Sequence, residues 1–263
     1  MLGYMDIFSS IAMILFLIFV VILFVFGGNA KIKMKNIKET YGYLDNKLID
    51  DDNVHFFRDI PCDGNIYYAY VLIKLNNFDF GNVNILGAII LKWIKEKKIF
   101  IREVNRIRMI DLTIKNSFIE NSFEDKLFKM MYEASCDGIL EIKEFYKWAK
   151  NYDIRFLSLF GQMESEIINL LKKETHIYYR ITDEDFYYDY VMDDKIYEDS
   201  VKLYGFKKFL DEFTDMDMKE IKELHLWEDY LIFAALFGMT DKIFNHLKEM
   251  YSDIEELDMY DLL

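Results

Sequence analysis

The stretch NIYYAYVLIKLNNFDFGNVNILGAIILKWIKEKKIFIREVNRIRMIDLTI, residues 65–114, decides how the folded part of this chain reads. Residues 65–75 form a short apolar segment of helical length. The asparagines and the glycine of 76–82 make a turn, and 83–97 has room for a longer helix. Residues 99–101 and 107–114 then read as two strands about a charged turn. Helix, helix, hairpin is the sequence order of a winged-helix-like module. Just upstream, Pro61 pushes its predecessor out of the helical region, so 54–61 reads as an extended lead-in.

Downstream the pattern recurs in a weaker form. Ser122 stands as an N-cap before a helix at 122–134 whose Phe123, Leu127, Met130 and Met131 favour one side. A short extended piece at 138–142, helices at 143–151 and 163–174, and a terminal strand at 177–181 complete a second, degenerate winged-helix-like module. An acidic, tyrosine-rich link covers 183–194. The last part is helical: 201–213 with Tyr204, Phe206, Phe209, Leu210 and Phe213 on one broad face, 218–238 closed by Gly238 in the C′ position, and 240–251 capped by Thr240. The apolar run 230–239 is too short to span a bilayer and reads as a buried helix or a docking face.

Upstream, Ile7 to Phe26 carries no charge over 20 residues, a reach of about 30 Å as a helix and the thickness of a hydrocarbon core. The small-x-small triplet Gly28-Asn29-Ala30 suits a signal-peptide cleavage site, but a basic n-region is missing and the run is long for an h-region. A core helix would need a wet face, which 11–26 does not offer. The expectation is a membrane anchor. Lys31, Lys33, Lys35 and Lys38 follow it and only Asp6 precedes it, which places the N-terminus outside and the remainder in the cytoplasm.

The expected fold class is α+β, mainly helical: an N-terminal transmembrane helix, tandem winged-helix-like modules and a C-terminal helical bundle. The expected divisions are an anchor at 1–28, a linker at 29–53, modules at 54–115 and 116–182, and an acidic link with the bundle at 183–263. An aromatic content of 17% and a single proline argue for ordered structure throughout the body. Cys62 and Cys136 have no CxxC spacing, which suits a reducing compartment and offers neither a disulfide framework nor a zinc site. Residues 1–175 hold 23 Lys and Arg against 23 Asp and Glu, whereas 176–263 hold 9 against 23, so the whole net charge of −14 sits in the last third. Such a surface repels nucleic acid and anionic headgroups and favours the cytosol or a basic partner.

Chemistry finds little footing. His55, His176, His225 and His246 are scattered without a metal-binding or triad-like spacing. Asp183, Asp185, Asp189 and Asp193 imitate a cation loop, yet Tyr188 stands where an EF-hand needs glycine and Asp194 where it needs a bidentate glutamate. No glycine-rich phosphate loop is present. The reading is therefore a protein that is not an enzyme and takes no cofactor or metal. Lys92, Lys95, Lys97, Lys98, Arg102, Arg106 and Arg108, set against Glu96 and Glu103, form a candidate patch for lipid headgroups, a partner or nucleic acid. The same helix reads Ile89-Ile90-Leu91 and Trp93-Ile94, so much of its face is core, which argues against a DNA-reading face.

Three stretches resemble the DUF2207 family of predicted bacterial membrane proteins, which includes YciQ-like proteins. They are Phe56-Phe57-Arg58-Asp59-Ile60-Pro61 with the helix and strand of 87–99, then Gly205-Phe206-Lys207-Lys208-Phe209-Leu210, and most specifically Leu226-Trp227-Glu228-Asp229-Tyr230-Leu231-Ile232-Phe233-Ala234-Ala235-Leu236-Phe237-Gly238. The resemblance covers 54–251, weakly between 115 and 200. It implies a membrane segment followed by a cytoplasmic region; members of the family generally carry an extracytoplasmic β-rich domain before that segment, and the expectation is either a short form or the C-terminal part of a split or truncated gene. It names no catalytic residue. The family-motif residues Phe57, Arg58, Pro61, Phe206, Phe209, Trp227, Glu228, Tyr230 and Gly238 are expected to pack, Trp227 at helical spacing from Leu231, Ala234, Ala235 and Gly238, and Glu228 to cap or to pair with Lys207 or Lys208. The functional expectation is a protein-interaction, scaffolding or signal-relay module held at the membrane through 7–26, with a protein partner; the alternative is a membrane-bound DNA-binding regulator using 92–108.

Overall fold

The computed structural model describes residues 49, 54–81, 83–104, 107–113, 118–174, 177–181, 188–213 and 224–239. The apolar run 7–26, the remainder of the linker 29–53 and the helix expected at 240–251 lie outside them. Among the described residues no helix is long and apolar enough to cross a membrane. The body is mainly helical with a small sheet, which is the α+β class expected.

Helix α1 is Ile66–Leu75 and α2 is Ile85–Lys95. Each starts at an asparagine that relieves the unpaired amides of a first turn. The Asn65 side chain accepts from the amides of Tyr67 and Tyr68 at 3.1 Å each. Asn84 accepts from Gly87 at 2.9 Å. Strands β1 (Phe100–Val104) and β2 (Ile107–Asp111) form the expected antiparallel hairpin. Its third strand is not local: β3 (Ile139–Leu140) comes from beyond α3 (Phe123–Ser135) and pairs with Ile110 and Asp111. The short extended piece expected inside the second module thus completes the sheet of the first.

Two helices expected at 143–151 and 163–174 are one, α4, Ile142–Lys173. Phe145, Trp148, Phe156, Leu159, Phe160, Met163, Ile168 and Leu171 are all buried at helical intervals, and nothing between 151 and 163 breaks that stripe; Gly161 faces open space and is tolerated. The link at 183–194 holds β5 (Tyr188–Met192), which pairs with β4 (Ile177–Ile181) as a two-stranded hairpin. Helix α5, Asp194–Phe213, begins seven residues before the expected start at 201, because the Asp193 side chain caps it by accepting from the Ile196 amide at 2.9 Å. Helix α6 is Leu224–Leu236. It closes at Gly238 with φ +70°, where the amide of Gly238 donates to Ala235 at 3.0 Å and that of Met239 to Ala234 at 2.8 Å, the paired bonds of a Schellman end.

One apolar cluster joins these parts. Helix α6 lies on α2, α3 on α4, and α1 touches α2, α4 and α5. Trp93 and Phe206 are fully buried within it. Each such side chain contributes about 1.5–3 kcal/mol by leaving water. The run 230–237 of α6 and its C-terminal turn is buried without interruption, which makes it the core helix its length predicted.

Candidate functional site

The three motif stretches meet in space. The lead-in 54–60 has no regular secondary structure and lies against α5 and the middle of α6, held by its main chain. The Phe57 amide donates to the Gly205 carbonyl at 3.2 Å. Lys208 Nζ donates to the Val54 carbonyl at 3.1 Å, and the Tyr230 hydroxyl donates to the Arg58 carbonyl at 2.9 Å. Gly205 makes the crossing possible: a Cβ there would lie 2.4 Å from the His55 carbonyl oxygen and 3.2 Å from Phe57 Cβ. The Arg58 guanidinium sits 5.7 Å from the centre of the Phe209 ring, within cation–π range. Phe206 packs edge-on to Tyr230 and Phe233 at 5.3 and 5.6 Å. Phe57 is half-buried against the core and Pro61 is buried.

After this strap the chain turns sharply. Pro61–Gly64 is a 3-10 segment in which Cys62, Asp63 and Gly64 all have positive φ, at 56°, 50° and 75°. The turn rests on α5, and nearby the Tyr68 hydroxyl donates to Asp199 at 3.0 Å. Burial, with the Asp199 and Asp63 carboxylates beside it, pushes the Cys62 thiol far up. It stays protonated and is a poor nucleophile.

The basic patch is organised differently from a solvated strip. Lys92 and Lys98 both reach Glu124, at 2.7 and 2.9 Å, and both reach Glu96, at 2.9 and 2.6 Å. The Tyr67 hydroxyl donates to the same Glu124 carboxylate. Burial alone would raise the Glu124 carboxyl; the hydrogen bonds from Lys92, Tyr67 and Lys98 reverse that and bring it down to about 2. Lys95 pairs with Asp229 of α6 at 2.6 Å. Arg102 pairs with Asp111 at 2.6 Å, whose burial is likewise outweighed by bonds from Thr113 and by Arg102, leaving its carboxyl below the usual range. Lys97 is exposed at a turn with φ +57°. Arg106 and the side chain of Arg108 lie outside the described residues, as does the Trp227 side chain.

Sequence reasoning paired Glu228 with Lys207 or Lys208. The structure gives Lys207 to Asp211 one turn on and Lys208 to the Val54 carbonyl. The interhelical acid is the neighbour, Asp229. Also missed were the close approach at Gly205 and the hub at Glu124. The glycine was visible only as the first letter of a motif, and Glu124 as one of two acids in the first turn of a helix. Among the described residues no group of His, Cys, Asp or Glu is placed to hold a metal ion.

The body is mainly helical α+β, and its C-terminal helix pair holds the segment 54–60. Residues 192–247 match the family described as predicted membrane protein (DUF2207), C-terminal domain. That match falls in the family the chain's motifs resemble, and the family's description supports a membrane location. The match takes in α5 and α6, and the strap lies upstream of it. No curated protein and no solved structure matches the chain.

Proposed function

We propose that this is a single-pass membrane-anchored protein, N-terminus outside, whose cytoplasmic body is a protein-contact module acting as scaffold or signal relay, with no catalytic step of its own. The observation that carries the reading is the clasp itself: the family's C-terminal domain grips, through Gly205, Lys208 and Tyr230, the segment that connects it to the apolar run. A body fixed to its tether in this way holds whatever it binds at a defined place near the membrane. The helix, helix, hairpin unit of α1, α2, β1 and β2 is winged-helix-like in order, and we assign it to protein contact. A groove-reading helix needs a free face, whereas α2 buries Ile85, Ala88, Ile89, Ile90, Leu91, Trp93 and Ile94 and lies under α6. Four of the patch cations are engaged by acids of the same chain, which leaves less charge for phosphates. Fold order by itself does not dictate function.

The test is mild detergent extraction of the tagged chain from its own membranes, with mass spectrometry of co-purifying proteins and a nuclease control. A stoichiometric partner that survives nuclease and is lost on deleting 192–247 supports the proposal. Recovery of the chain alone, or with nucleic acid that salt removes steeply, overturns it in favour of a regulator.

A further inference from the structure

We propose that the strap 54–60 is a releasable latch, separable from the core beneath it, that docks against Gly205, Phe209 and Tyr230 of the family domain and leaves them while that domain stays folded. The proposal rests on the tethered reading above only for what pulls the latch; the docking and its release belong to the folded body.

The way the strap is held sets it apart from the elements around it. Among the described residues its three hydrogen bonds all use its main-chain atoms, the Val54 and Arg58 carbonyls and the Phe57 amide. Its side chains contribute little burial: His55, Phe56, Arg58 and Asp59 are exposed, Phe57 and Ile60 are half-buried, and only Val54 is fully covered. Helices α5 and α6 are joined instead by Phe206, Phe233 and Phe237, each at most 1% exposed. Segments with few buried apolar contacts open below the global unfolding free energy, so the strap is the part of this region that lets go first.

The contacts also have an order. Val54 is nearest the N-terminal side, so displacement of the preceding chain acts first on the Lys208 to Val54 bond, next on the Gly205 crossing, and last on the Tyr230 to Arg58 bond. Beyond them the turn at 61–64, with three positive φ angles and its seat on α5, stops the peeling before α1. The strap is held as peptides are held: the missing Cβ of Gly205 allows close backbone approach, the Lys208 ammonium and the Tyr230 hydroxyl donate to its carbonyls, and its Arg58 guanidinium lies over the Phe209 ring. Backbone hydrogen bonds with one or two side-chain anchors are the economy of peptide recognition by extended segments.

Hydrogen exchange on the full chain in detergent micelles, read at single amides, tests this. In the wild type the Phe57 amide is expected to be protected, but less than the amides of α2. Lys208→Met and Tyr230→Phe, which keep the aliphatic stem and the ring in place, are each expected to speed exchange at Phe57 by about tenfold, the effect of losing one hydrogen bond from a local opening. Exchange at 89–93 is expected to stay unchanged. Gly205→Val, which fills the crossing, is expected to bring Phe57 to the free-chain rate. A synthetic peptide of residues 53–60 is expected to bind the Gly205→Val chain less well than the Tyr230→Phe chain. The latch is overturned if Phe57 exchanges at the free-chain rate in the wild type. It is overturned too if neither mild variant changes Phe57, or if the strap and 89–93 lose protection together. None of these readouts depends on a partner, so the loss of the scaffold reading would leave them standing.

Discussion

Gly205 and Glu124 show what single residues decide in this chain. At Gly205 the missing Cβ lets the His55 carbonyl come within 2.4 Å of where that atom would be. Gly205→Ala must push main chain away from main chain, and in thermal unfolding of the full chain in detergent it is expected to lose about 1–3 kcal/mol, the usual cost of overpacking. At Glu124 the argument is electrostatic. Its carboxyl falls from 4.5 to about 2 in the folded chain, so it binds its proton less readily folded than unfolded. The stability it contributes is therefore complete above pH 4.5 and is lost as the pH falls toward 2. Glu124→Gln is expected to cost about 2 kcal/mol at pH 7, leaving Lys92 and Lys98 short of a carboxylate, and almost nothing near pH 2. Equal loss at both pH values, measured by denaturant unfolding, would mean that the charge is not what matters there.

Elements were legible where caps and periodicity agreed. Asn65, Asn84, Ser122 and Gly238 mark helix ends, and each stands where the expected boundary falls or within two residues of it. Phe206 and Phe209 stand at helical spacing on α5 and are buried, and Tyr230 of α6 is buried as well. What failed was reach across the sequence. The stripe of α4 continues through residues that are polar on their outer side, so two helices were read for one. The short β3 carries no local sign that its partner is β2, some thirty residues earlier. Lys95 and Asp229 lie 134 positions apart, and pattern alone offers no reason to join them. That pair now gives a test of how α2 and α6 are locked. It is about one-third exposed on both sides, so a double-mutant cycle of Lys95→Ala and Asp229→Ala is expected to return a coupling of only about 0.2–1 kcal/mol. Strict additivity would assign the α2–α6 contact wholly to its apolar side chains.

At the scale of the molecule, the two cysteines report on both the fold and the proposed topology. Cys136 is exposed, at the C-cap of α3. Cys62 sits in the turn that ends the strap, where burial and two neighbouring carboxylates keep its thiol protonated. Thiolate is the form that reacts with maleimides, so in the native chain Cys136 is expected to label promptly and Cys62 slowly, the difference vanishing in denaturant. The proposed orientation puts both on the cytoplasmic side. In sealed cells a membrane-impermeant maleimide is therefore expected to label neither, and opening the envelope is expected to release Cys136 alone. Prompt labelling of Cys136 in sealed cells would reverse the topology while leaving the fold intact. Equal rates at both cysteines after opening would instead remove the burial of the Cys62 turn, and with it the stop that keeps a strap pulled at one end from unravelling α1.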